Sequence, residues 1–195
     1  MNNRKTDRRT IYTINVIKEA FLELIAEKPY SDIKIAQICR KAAITRTTFY
    51  LHFDNMTDIL NAVLDDALLF TNTQADLSTT DKETISNPLK ESESLLPDCQ
   101  KVADSPKYRK LLMDPSLSDY IIGRIITHEK PTIIPEVQAR TGLSEADAEA
   151  IFAYSIHGSF AINKKHHFIK NQAWYHDLQL LNKFISAGYD KFKKA

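Results

Sequence analysis

Four glycines and two cysteines are all that 195 residues contain. So little glycine argues against a turn-rich all-β chain, because glycine is what tight turns with positive φ consume. The cysteines, Cys39 and Cys99, lie far apart, so neither a disulfide framework nor a cysteine zinc cluster is expected. The N-terminal stretch is not apolar, and no run approaches the roughly 18 apolar residues of a membrane span, so a cytoplasmic protein with no membrane partner is expected. Histidines 128, 157, 166, 167 and 176 show no metal-ligand spacing, and no nucleophile is set beside a base. The reading is therefore no metal, no cofactor and no enzyme. Internal repeats and strand alternation are also absent.

What remains is a chain 43% hydrophobic and 26% charged, rich in helix formers, and an all-α fold is expected. Its net charge of +1 conceals a division: residues 1–57 hold ten Lys or Arg against six acids, and the remainder carries a net −3. A basic end on a nearly neutral chain suits a polyanion partner for that end alone, as it suits a solvated face.

Apolar residues at Ile14, Ile17, Phe21, Leu24 and Ile25 trace one face of a helix that Pro29 should stop near Lys28. Ile35, Ile38, Cys39 and Ala42 suit two further turns. Thr45 is placed to cap a third helix, and Met56, Ile59, Leu60, Val63, Leu64, Ala67 and Leu68 make a fourth, capped by Asp54 or Asn55. If "TRTTFYLHF", residues 45–53, is helical, Phe49 and Phe53 share a buried face with Phe21, Ile35 and Ile38. Thr47 and Leu51 then centre the opposite face, flanked by Thr48 and Tyr50, while Arg46 reaches outward and His52 projects from the edge. Such a rod, anchored on one side and hydroxylated on the other, suits the second helix of a helix-turn-helix entering a DNA major groove. Arg46 can pair with guanine, Thr47, Thr48 and Tyr50 can donate to phosphates or bases, and Leu51 can meet a thymine methyl.

The run "YSDIKIAQICRKAAITRTTFYLHFDNMTDILNAVL", residues 30–64, resembles the N-terminal region of the TetR-type (tetracycline-repressor-like) transcriptional regulators, above all in "ITRTTFYLHF". The resemblance covers about the first 65 to 70 residues. It implies a homodimer with helix-turn-helix heads on a double-stranded DNA operator, a connecting helix, and a helical body for a small-molecule effector of unknown identity. It also implies phosphate and base contacts from Thr45, Arg46, Thr47, Thr48, Tyr50 and His52. Three positions depart from the family pattern: Lys34 where Ser or Thr caps the second helix, Ala43 where the turn has glycine, and Met56 where a lysine often meets the backbone. Lys34 still reaches phosphate but cannot cap, and Ala43 implies either ordinary negative φ or strain. A TetR-like adaptor or coactivator working through a protein partner is the alternative.

The expected organisation is a DNA-binding domain over 1–54 with a basic tail at 1–9, a connecting helix over 55–70, a polar loop or linker over 71–94, and an effector and dimerisation domain over 95–195. Pro97, Pro106, Pro115 and Pro135 each suit a helix start, which predicts short helices in the middle of the chain. Gly142 ends one helix, and Ser144 with Asp147 starts another that runs to about Phe168. Its face Ile151, Ser155, Gly158, Ile162 and the stripe Trp174, Leu178, Leu181, Ile185, Gly188 on a last helix capped by Asn171 are the candidate dimer surface, with packing inside one subunit as the rival. Aromatics at Tyr108, Tyr120, Phe152, Tyr154, Phe160, Phe168, Trp174 and Tyr175 suit a pocket lining or plain core equally.

Overall fold

Ile17, Phe21, Leu24 and Ile25 fall on one side of a helix and are all buried, which fixes how the first element lies in the computed structural model. The structure describes residues 8–68 and 106–192, and these are all-α. The elements are α1 (Arg8–Glu27), a 3-10 turn (Tyr30–Asp32), α2 (Ile35–Lys41), α3 (Arg46–Tyr50), α4 (Met56–Leu68), α5 (Pro106–Met113), a second 3-10 turn (Pro115–Leu117), α6 (Ser118–Thr141), α7 (Glu145–Lys165) and α8 (Gln172–Phe192). The sequence expectations for 1–7, 71–94, Pro97 and Cys99 lie outside the described residues.

The helix ends follow their caps. Asn55 Oδ1 accepts from the N–H groups of Thr57 and Asp58 at the start of α4. Ser144 Oγ accepts from Asp147 N, Asn171 Oδ1 from Trp174 N, and Gly142 closes α6 in the left-handed region at φ 72°. Helices α1 to α3 form a three-helix head in which α1 lies against α2 and α4. The body packs α6 against α7, and α8 against both. One apolar cluster runs without a break from Ile17 and Phe49 through Leu64 to Leu112, Ile125 and Phe160, so head and body share a core.

Three expectations need correction. Pro135 does not open a helix: it lies, with Pro131, inside the 24-residue α6, which replaces the short helices read for that region. Proline's fixed φ is compatible with a helix; its cost is the missing N–H bond, here offset by burial of Ile134 and Val137 beside it. Helix α7 stops at Lys165 rather than near Phe168, because His167 and Phe168 adopt φ of 52° and 54°. The reversal drives Phe168 into the core, edge-on to Phe160 at 5.5 Å. Finally, the stripe read on the last helix is not all at the surface: Trp174 and Leu178 are buried within the subunit, Trp174 Nε1 donating to Asn163 Oδ1 of α7 at 2.7 Å, so they hold α8 to α7.

Pro135 is exposed, and alanine there restores a donor to the ladder. Pro135→Ala is expected to raise unfolding stability by about 1–3 kcal/mol, read by urea denaturation.

Candidate nucleic-acid interface

Helix α3 is short and its anchor is deep. Thr45 stands at its N-cap, its Oγ1 accepting from Thr48 N at 3.0 Å and sharing a hydrogen bond with Thr48 Oγ1 at 2.9 Å. Regular α-helix spans Arg46–Tyr50, and bonds from Leu51 N to Thr47 O and Phe53 N to Phe49 O carry the turn to the end of the nine-residue segment. Phe49 is fully buried and Phe53 nearly so, their rings 5.8 Å apart, and the ring of Tyr50 meets Phe49 edge-on at 5.5 Å. Outward stand Arg46 and Thr47, with Tyr50 51% and Leu51 74% exposed; Thr48 and His52 are half-buried at the margins. Of the remaining expected head residues, Ile38 is buried, Ile35 half-buried against the core, and Lys34 exposed.

Lys34 has extended backbone as the N-cap of α2, and its N–H donates to Gln37 Oε1 at 2.9 Å; its ammonium, which can only donate, cannot satisfy the helix start. Ala43 takes the strained option, with φ 52° between α2 and α3. At the start of α4 Asn55 Oδ1 accepts from the N–H groups of Thr57 and Asp58, and Asp58 Oδ2 accepts from Asp54 N, which puts a carboxylate at the helix start.

Charge divides the head. Lys41 is spent on α1, its ammonium 2.7 Å from Glu27 and 3.1 Å from Glu23, and the hydrogen bonds it donates to those carboxylates raise its pKa and hold it protonated. Lys34, Arg40 and Arg46 remain exposed. Burial raises the pKa of the Cys39 thiol, in spite of nearby Arg46, which leaves it an apolar core residue. One exposed feature lay outside the sequence reading: Ile11 and Tyr12 protrude from α1, and Tyr12 borders a cleft of about 250 Å³ with Asn15, Lys41 and Ala42. Their signal was only that they fall off the apolar stripe.

In the body an open cleft of about 730 Å³ between α4 and α6 is lined by Asp65, Asp119, Tyr120, Gly123, Arg124, Thr127 and His128. Arg124 pairs with Asp65 across it, and Tyr120 Oη donates to Asn61 Oδ1 at 2.6 Å. Of the aromatics considered for a pocket, Tyr120 lines this cleft, whereas Phe152, Phe160, Phe168 and Trp174 are core and Tyr154 is exposed. Among the described residues no group of histidine, cysteine and carboxylate side chains is arranged to hold a metal, and no helix is long and apolar enough to cross a membrane.

Comparison with known proteins falls on the same segment. A family model described as bacterial regulatory proteins, tetR family, matches residues 17–63. The chain is 39% identical over 62 residues to the HTH-type transcriptional regulator YxbF of Bacillus subtilis, a match covering 31% of this chain and 16% of that protein. It is 39% identical over 61 residues to the HTH-type transcriptional regulator SrpR of Pseudomonas putida, covering 31% and 29% of the two chains. The match thus spans less than a third of either relative. The crystal structure of the TetR family repressor AlkX from Dietzia sp. strain DQ12-45-1b, implicated in biodegradation of n-alkanes, aligns over 92% of this chain and 98% of that chain, with a TM-score of 0.46 and 13% identity.

Since Ala43 carries a left-handed backbone with a Cβ, Ala43→Gly is expected to add about 1 kcal/mol of stability, seen as a raised midpoint of thermal unfolding, with the reading helix unmoved.

Proposed function

We propose, for a chain that belongs to the tetR family of bacterial regulatory proteins, that it is a cytoplasmic transcriptional repressor acting as a homodimer on a palindromic operator and releasing it when a small molecule binds its body. The observation that carries this is α3: a helix pinned by Phe49 and Phe53 whose opposite side presents Arg46, Thr47, Tyr50 and Leu51 to solvent. Arg46 reads guanine O6 and N7, and Leu51 meets a thymine methyl. Thr45, Thr47, Thr48, Tyr50 and His52 bond phosphates or base edges, and Lys34 adds a phosphate contact. Residues 1–54 are then the reading domain, 55–70 the connecting helix, and 95–195 the body.

The second copy is supported by the far end of the molecule. Ile151, Ser155, Gly158 and Ile162 stay half-buried on α7, as do Leu181 and Ile185 on α8, while Leu180 and Phe184 are 62% and 63% exposed. A Cβ added at Gly158 or Gly188 would meet nothing within 4 Å, so their smallness serves no contact inside the subunit. Two such helix pairs make a four-helix interface that sets the two α3 helices roughly 34–36 Å apart. An effector entering the cleft between α4 and α6 acts where Asp65 and Arg124 join the connecting helix to the body, and differential affinity for two spacings is all that release requires. The carboxylate-closed start of α4 gives the adaptor reading its footing, since it removes one DNA contact.

Arg46→Ala and Tyr50→Ala, in a folded dimer, are each expected to weaken binding to a duplex selected by the wild-type protein by about 10-fold or more. Retention of wild-type affinity by both refutes the site. A steep loss of affinity with added salt supports DNA as the partner, and duplex binding no better than that of any mildly basic protein supports the adaptor. Phe184→Glu is expected to shift sedimentation from dimer to monomer; an unchanged dimer moves the interface elsewhere.

A further inference from the structure

The segment between α1 and α2 is tied to the body by a buried carboxylate. Asp114, 7% exposed, follows α5 and lies 84 positions along the chain from Tyr30. Its Oδ2 accepts from Tyr30 N at 2.8 Å, and its Oδ1 accepts from Ser116 N at 2.9 Å and from Ser116 Oγ at 2.6 Å. The network continues into the body: Ser118 Oγ donates to Asp114 O at 3.5 Å, and Lys164 Nζ, in the last turn of α7, donates to Ser118 Oγ at 2.7 Å. A chain of hydrogen bonds thus leads from the backbone of the head to the helix that carries half of the proposed dimer surface.

We infer that Asp114 is a positioning residue for DNA recognition, fixing the orientation of the head on α7 and with it the separation of half-sites that the dimer accepts. This rests on the reading of the head as a DNA-binding unit in a homodimer. Burying a carboxylate is costly for stability alone, and an apolar side chain would fill the same space at lower cost. What the carboxylate adds is direction, because two of its three donors are backbone and side-chain groups of the body and the third is a backbone N–H of the head. Other ties between α1 and the rest, Lys18 with Asp66 at 2.9 Å and Lys107 with Glu19 at 2.8 Å, use long ammonium side chains at half-exposed positions, which hold the helix near without fixing its angle. Burial alone would raise the pKa of Asp114. The hydrogen bonds from Ser116 and Tyr30 N and the charge of Lys164 outweigh it and hold the pKa below the ordinary value, so the group is an anion at neutral pH.

The test uses full-length protein and a palindromic duplex selected by the wild type from a random library, together with copies whose spacer is longer or shorter by one and two base pairs and a duplex bearing one half-site. Each base pair moves the half-sites by roughly 3.4 Å, so a rigid head discriminates sharply. Asp114→Asn is expected to lose about 10-fold in affinity at the parental spacing while its penalty for altered spacers shrinks by a similar factor and half-site binding stays within about twofold. Lys164→Met, which leaves every bond to Tyr30 in place, is expected to flatten the spacing profile by about threefold and guards against an Asp114 variant that fails to fold. Equal losses on every duplex, half-site included, would mean a damaged head and overturn the inference, as would a spacing profile unchanged in both variants. If the wild type selects no duplex, the DNA-binding reading itself falls and takes this one with it.

Discussion

A helix of five residues does not hold itself in water, since nucleation costs more than one turn of bonds returns. That α3 exists at all depends on Phe49, whose complete burial fastens the segment to α1 and α2, and on Thr45, which satisfies a backbone donor at its start. Everything outward-facing on α3 inherits its position from that one apolar contact. Anchoring and exposed side chains are therefore divided around the circumference of a single turn, and the two sets hardly overlap.

The same economy appears on a larger scale. The head has too few residues to make a large core of its own, and its apolar face is completed by α4 and by α5 from the body. Ion pairs decorate this seam, but the continuous cluster from Ile17 to Phe160 does the holding. A shared core ties the position of the head to the packing of the body helices.

The head was legible because its signals are local. Pro29 ends α1 at Glu27, Thr45 caps α3, Asn55 caps α4, and the 3–4 spacing of Ile17, Phe21 and Leu24, and of Phe49 and Phe53, names the core without reference to anything distant. The body was read less well where distant packing decided the outcome. Local preference placed a helix start at Pro135, yet α6 runs straight through it and through Pro131. The heptad-like stripe of α8 was real but served two masters: its first two members, Trp174 and Leu178, turn inward to α7, and only its later ones remain near the surface. Sequence periodicity finds the face of a helix and does not say which neighbour covers it. The bond from Tyr30 N to Asp114 had no sequence signal, because nothing local reveals a partner 84 positions away.

The sharp reversal after α7 has a consequence for how two copies can associate. Phe168 is sealed in the core of its own subunit and His166 is tied to Asp177 at 2.8 Å, where hydrogen bonds from Lys165 and His166 hold the carboxylate down to about 2. Exchange of α8 between protomers would have to extract an aromatic ring and straighten two left-handed residues before any new contact formed. The joint thus opposes any exchange of α8 between two copies of the chain.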